Sequence, residues 1–333
     1  MDDNWVHKPL RSPSKLSVDF SSEQLQIRET VTKLCSRFGD DYWLERDRDG
    51  RFPEEFCQAI ADNGFMGIAI PEQYGGAGLG ITEASLLTQA ISESGAGNGG
   101  VSSVSIGIFG LNPVVRYGTE EQKHRMLPGV IKREDIACFG VTEPNTGLDT
   151  TRLKTKATLQ GDHYIVHGQK VWISTAQVAN KIMLIARTAD EDETKRPMDG
   201  LSLFYTDLDR SKVEITEIEK MGRKCVDSNQ IFFDGLEIPV EDRIGEEGKG
   251  FRYLLHGINP ERILIAAGLV GLGRAALRRA TEYAQERVVF DRPIGKNQGI
   301  QHPLAQSWAE LEAANLMAFR AAQLYDRGEE RGP

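Results

Sequence analysis

The apolar positions along the chain change period twice. Between residues 19 and 128 they recur every three to four residues, between 137 and 242 nearly every two, and after Gly250 every three to four again. The spacing predicts helix, then strand, then helix. Ser21 or Ser22 caps a first helix running to about Asp40, with Leu25, Val31, Leu34 and Phe38 on one side. Pro53 starts a second helix, through Phe56 and Ile60, that Gly64 ends. Two apolar helices follow, over 83–96 and 102–117, parted by a Gly-rich break at 95–100. Gly118 fits the C′ position of the second and Thr119 the N-cap of the next, with Gln122 near the box position.

The period-two segment opens with a short run, 139–142, broken by Glu143-Pro144-Asn145-Thr146-Gly147, a turn rich in fixed dihedrals and hydrogen-bonding groups. Alternating segments at 154–159 and 164–167 flank the turn 160–163, and Gly168-Gln169-Lys170 leads into Val171-Trp172-Ile173; these predict a small antiparallel sheet. Further strands are predicted at 182–187, 200–206, 213–219 and 229–239, giving a sandwich or barrel of six to eight strands. In the last segment, 263–267 is apolar on nearly every side, which implies burial in a bundle or at a subunit interface. A turn at 292–297 joins it to a final helix over 300–327. Gly268, Gly271 and Gly273 fall inside a helix and read as packing, not phosphate binding.

Composition narrows the function classes. With 49 acidic against 40 basic residues the chain lacks the positive surface that a nucleic-acid backbone requires. The short basic runs at 220–224 and 274–279 read as solvated faces. Cys35, Cys57, Cys138 and Cys225 show no metal or disulfide spacing and read as reduced, packed thiols; the six histidines are scattered, so no metal site is expected. No apolar run is long enough to span a bilayer, and the start lacks a secretory core, so the expected location is the cytoplasm. A basic, Ser-bearing start leaves the mitochondrial matrix open, with Asp2 and Asp3 against it.

The order Val141-Thr142-Glu143-Pro144-x-x-Gly147-x-Asp149, then Gly161-x-x-Tyr164-x-x-x-Gly168-x-Lys170-x-Trp172-Ile173-Ser174, resembles the central domain of the acyl-CoA dehydrogenases, a family of flavin enzymes. Pro71-Glu72-x-x-Gly75-Gly76-x-Gly78 resembles a loop of that family's first domain, and the likeness runs from about Ser17 to Arg327. It implies an α+β multidomain fold: a flexible tail at 1–16, an N-terminal helical domain over 17–136, a central β-sandwich or barrel over 137–245, and a C-terminal helical bundle over 246–333. That bundle is expected to be incomplete, with about two of the family's four helices.

The resemblance also implies the site. Phe139, Val141 and Thr142 lie on the strand that sets amides and a hydroxyl against the flavin ring of FAD. Trp172, Ile173 and Ser174 match the segment that brings an indole and a hydroxyl to that ring. Arg287, Phe290 and Gln298 match the second cofactor surface, which a neighbouring subunit supplies. Asn259 and Arg262 match substrate-side positions. Leu148 stands where many relatives carry a Ser that meets the thioester's pantetheine arm. Most of the family places its catalytic glutamate in a C-terminal segment this chain does not contain, and a minority at the position of Glu261. Asn259 and Pro260 read as the cap and first turn of a helix, so Glu261 is either a helix-dipole partner or the base.

The implied reaction oxidises an acyl-CoA to the trans-2-enoyl-CoA and passes electrons to an electron-transfer flavoprotein, from a homodimer or homotetramer. Two alternatives stand beside it: a truncated, non-catalytic relative that binds flavin or a full-length partner, and an enzyme of the same fold acting on a non-CoA substrate.

Overall fold

The computed structural model of the chain describes residues 19–190, 192 and 194–329, so the tail expected at 1–16 lies outside the described residues. Helix α1 (Ser22–Cys35) starts on a reciprocal cap: Gln24 N–H donates to Ser21 Oγ at 3.2 Å and Ser21 N–H to Gln24 Oε1 at 3.0 Å. It ends at Cys35 rather than near Asp40, because Asp40–Asp49 forms a helix of its own, α2. Its sequence, DDYWLERDRD, carries too few apolar residues to reveal a period. What holds it is tertiary: the Trp43 indole donates to Phe38 O at 3.1 Å and packs edge-on to Phe56 with ring centres 5.0 Å apart.

Pro53 caps α3 (Glu54–Asp62). Helices α4 (Ile81–Ile91) and α5 (Gly97–Phe109) are joined by a widened turn, Ser92–Ala96, whose kink falls on Gly95 at φ +112°. The expected Gly-rich break is therefore narrower, and Gly99 and Gly100 lie inside α5. After α6 (Asn112–Tyr117), Gly118 is extended (φ −66°, ψ 150°), not the left-handed C′ residue expected. Thr119 does cap α7 (Glu120–Ile131), paired reciprocally with Gln122.

The central segment forms one eight-stranded mixed sheet among the described residues. The strands are β1 (Ala137–Gly140), β2 (Lys156–Gln160), β3 (His163–Ser174), β4 (Lys181–Arg187), β5 (Leu201–Asp207), β6 (Val213–Glu217), β7 (Ser228–Pro239) and β8 (Arg243–Ile244). They run in the order β6-β7-β3-β2-β4-β5-β8, with β1 attached to β4. The small antiparallel sheet expected around the Pro-Gly turn is corrected here. Only β2 and β3 pair as a hairpin; β1 runs parallel to β4, Ala137 opposite Lys181 and Gly140 opposite Leu184. The loop after β1 thus crosses over instead of turning back. Tyr164, Val166, Phe204, Phe233 and Ile238 are fully buried in one hydrophobic cluster of the sheet.

Helix α8 (Gly250–Glu286) is continuous, so Asn259 and Pro260 do not open a helix but lie within one. Packing overrides the local breaker: Phe251 and Leu254 are buried with the β5 and β8 residues Leu203 and Ile244, and Leu264 is buried in the core of the first domain. Close approach explains the glycines. A Cβ at Gly271 would meet Gln89 O of α4 at 2.3 Å, and one at Gly273 would meet Leu311 Cδ2 at 2.4 Å. Leu311 belongs to α9 (Gln298–Asp326), which follows a hairpin of β9 (Val288–Val289) and β10 (Arg292–Pro293). The basic run at 274–279 is not wholly solvated: Arg274 is mostly buried, donating to Glu312 at 2.6 Å and to Gln89 at 3.2 Å.

The end of α9 closes the fold. The Asp326 carboxylate accepts the Ile81 amide at 2.7 Å, the Thr82 amide at 2.9 Å and the Thr82 hydroxyl at 2.6 Å, capping α4 from the far end of the sequence. Asp326→Ala is therefore expected to cost about 0.5–2 kcal/mol, the range for losing such a cap. Thermal unfolding should show a lowered Tm, and amide exchange at Ile81 and Thr82 should quicken; unchanged exchange there would contradict the cap.

Candidate functional site

Strand β3 organises the site. Lys170 is fully buried in its middle, and its ammonium donates to Val141 O at 2.9 Å and to Glu143 Oε1 at 2.9 Å. The next residue donates as well: Val171 N–H reaches Thr142 O at 2.9 Å. Two adjacent carbonyls just past β1 are thus gripped by two adjacent residues of β3. The ladder of β3 with β7 then breaks between Lys170 and Ile173, and Trp172 takes φ +63°, a left-handed conformation unusual for an aromatic residue. The bulge turns the indole out of the sheet, where it is 64% exposed, while Ile173 is buried and its carbonyl accepts Asn229 Nδ2 at 2.9 Å. Ser174 rejoins the ladder opposite Ser228.

Glu143 fastens the loop after β1 at its root. Its carboxylate accepts the Lys154 amide at 2.7 Å and the Thr155 amide at 2.9 Å, besides the Lys170 ammonium. Burial alone would raise this carboxyl, but Lys170 and those amides bring it below the usual range; burial pulls Lys170 down to about 8, with Glu143 opposing. Arg187 of β4, also buried, donates to Leu153 O at 2.9 Å and Thr151 O at 3.0 Å. The loop's root is therefore rigid, and at its tip Leu148 is fully exposed.

Phe139, Val141, Thr142, Trp172, Ile173 and Ser174 accordingly gather where β1 meets the bulge of β3. Phe139 is half-buried, its ring 5.9 Å from that of Phe109 on α5. Glu261 lies mid-helix in α8, half-buried, and burial raises its carboxyl against the opposing charge of Arg262. Arg262 itself is exposed and donates to Asn259 Oδ1 at 3.1 Å. Arg287, Phe290 and Gln298 are exposed around the far end of α8, about 40 Å from Glu261 at 1.5 Å per helical residue. A cleft of about 800 Å³ lined by Arg116, Tyr117, Arg125, Arg243 and Tyr253 holds none of these residues; on the β1–β3 patch Trp172 is exposed and Val141, Thr142 and Ser174 are half-buried. Among the described residues no acidic, His or Cys cluster could hold a metal, and no helix is long and apolar enough to cross a membrane.

Sequence reasoning named neither Lys170, Glu143 nor Arg187 as organisers. The available signal was a lysine alternating with apolar neighbours in a strand, a position where a charge persists only with a partner.

Residues 21–134 match the family described as acyl-CoA dehydrogenase, N-terminal domain; residues 138–236 match its middle domain and residues 248–333 its C-terminal domain. The acyl-CoA dehydrogenase FadE12 of Mycobacterium tuberculosis H37Rv is 35% identical over 94% of this chain and 79% of its own length. The butyryl-CoA dehydrogenase structure from Megasphaera elsdenii superposes with a TM-score of 0.88 at 26% identity, covering 93% of this chain and 81% of that one. An FAD complex of PigA gives a TM-score of 0.87 at 25% identity, covering 94% and 81%.

The ion pair has a pH signature. Glu143's carboxyl is depressed in the fold, so its contribution is complete above its unfolded value of about 4.3 and is lost as pH falls through the folded value. Glu143→Gln, which strands the buried ammonium, is expected to cost about 3–5 kcal/mol near neutrality. Unfolding experiments should find that difference narrowing as pH falls below about 4.3; a constant offset down to acid pH would contradict the assignment.

Proposed function

Because this chain belongs to the acyl-CoA dehydrogenase family, we propose that it is an FAD-dependent oxidoreductase that converts an acyl-CoA thioester to its trans-2-enoyl-CoA. The observation that carries this reading is the clamped, outward-facing platform at Val141, Thr142 and Trp172. An indole held out in the left-handed region, beside peptides whose carbonyls are fixed by hydrogen bonds and beside the Thr142 hydroxyl, suits a planar ring with a polar edge. Bound FAD supplies the hydride acceptor.

The chain's own residues do the rest. Phe139, Val141 and Thr142 present amide and hydroxyl donors to the ring's pyrimidine side, where preorganised donors favour developing negative charge. Trp172 covers it with apolar surface, Ile173 packs in the sheet core behind the indole, and Ser174 adds a hydroxyl. Asn259 and Arg262 lie on the substrate side of α8. Arg287, Phe290 and Gln298 are exposed beyond the end of α8, about 40 Å along that helix from Glu261, which supports a homodimer or homotetramer in which a second copy's Arg287 holds the diphosphate. Glu261 removes the α-proton. Its position in mid-helix takes it out of the N-terminal dipole field that would have stabilised its anion, and its burial raises the carboxyl as a base requires. Electrons leave to an electron-transfer flavoprotein.

One observation favours a second reading. Leu148, fully exposed at the tip of its loop, offers no side-chain hydrogen bond to a pantetheine arm, and a substrate carried otherwise than on CoA fits that position equally. Anaerobic addition of acyl-CoAs of several lengths to the FAD-loaded protein decides between them: bleaching of the visible band supports the first reading, and no bleaching by any acyl-CoA removes it.

Glu261→Gln tests the base. The wild-type kcat/KM should rise with pH through an apparent pKa above the ordinary carboxylate range, and the variant should lose about 10²–10⁴-fold together with that limb. Turnover that survives the substitution with the same pH profile would place the base elsewhere.

A further inference from the structure

A buried lysine beside a cofactor platform is a costly choice, since an apolar residue of similar length holds a sheet at least as well as a buried ion pair does. The position of the ammonium suggests what it adds. Its bond to Val141 O is a bond to the peptide that joins Val141 to Thr142, and the other end of that peptide is the Thr142 N–H. A cation on the carbonyl draws charge through the amide and makes its N–H a stronger donor, and hydrogen-bonded groups in series reinforce one another in a low-dielectric interior. The Thr142 carbonyl, part of the next peptide, is meanwhile fixed by Val171 N–H at 2.9 Å, so the peptides on both sides of the Thr142 Cα are pinned.

We propose that Lys170 is a positioning residue that tunes the flavin: by polarising the Val141–Thr142 peptide it strengthens the Thr142 N–H as a donor and makes bound FAD easier to reduce. The inference rests on the flavin reading of the platform and adds a residue that never touches the ring. Glu143 acts in the opposite sense. Its carboxylate neutralises part of the ammonium's charge and sets how much of it the peptide feels.

The opposed signs give the test. FAD is titrated into wild-type apoprotein and into Lys170→Met, Glu143→Gln and the double variant, and the midpoint potential of each loaded protein is measured against a reference dye. Lys170→Met should bind reduced FAD less tightly relative to oxidised FAD by about tenfold or more, the scale of a hydrogen bond to a charged group, and so lower the potential. At a pH low enough to keep Lys170 protonated without its carboxylate partner, Glu143→Gln should shift the potential upward, and the double variant should lie between the two. A role confined to holding the loop would weaken FAD binding in both single variants and move both potentials the same way or not at all. Either of those results overturns the proposal. If one single variant fails to fold, the sign of the shift in the other single variant or in the double variant decides. Wild-type protein that takes up no FAD overturns the flavin reading itself, and this inference with it; wild-type protein that binds FAD alongside variants of unchanged potential overturns only the role of Lys170.

Discussion

Two opposite charges in the dry interior of the β-sheet constrain everything at the site. An ammonium and a carboxylate leave water at a cost of several kcal/mol each, recovered only when geometry is good and the remaining donors and acceptors are satisfied. Lys170 and Glu143 meet that condition through the Val141 carbonyl and the Lys154 and Thr155 amides. The same bonds decide where the chain goes: they tie β1 to β3 across the sheet, close the root of the Pro-Gly loop, and leave the next residues of β3 to bulge. The outward indole of Trp172 is a consequence of that bulge.

The helical layers supply rigidity at a larger scale. α8 is a single spine whose first turns are buried against the sheet and whose middle is buried in the first domain. Its glycines let α4 and α9 approach closely, and Asp326 then fastens the end of α9 to the start of α4. Ile265, Leu269 and Leu272 of α8 are exposed in the single chain, as are Trp308, Leu316 and Met317 of α9. The sequence reading of 263–267 is burial in a bundle or at a subunit interface; within the single chain Leu264 and Ala267 are buried and Ile265 is exposed.

Much of this was legible beforehand because the signals are local. The change of period from helical to alternating marks the sheet, the Ser21 and Thr119 caps are written in side-chain chemistry, and the strand segments fall close to their expected positions. Failures came where a distant partner decides. Period two says nothing about which strand lies alongside, so β1 was expected in a hairpin and pairs parallel with β4 instead. Pro260 reads as a helix start, yet packing on both sides carries α8 through it. Arg274 looks like one of several surface cations until Glu312, far along the chain, is brought beside it. Lys170 and Arg187 are invisible for the same reason: a charge in an apolar strand declares that it has a partner without naming it.

The central claim is that the bulge of β3 offers its indole to a flavin ring. Tryptophan fluorescence tests this directly, because a stacked flavin quenches a neighbouring indole. Titration of FAD into the wild-type apoprotein should quench part of the emission, and Trp172→Phe should remove that component while Trp43, buried among the helices, continues to emit. Equal quenching in the two proteins, or none in the wild type, would contradict the account.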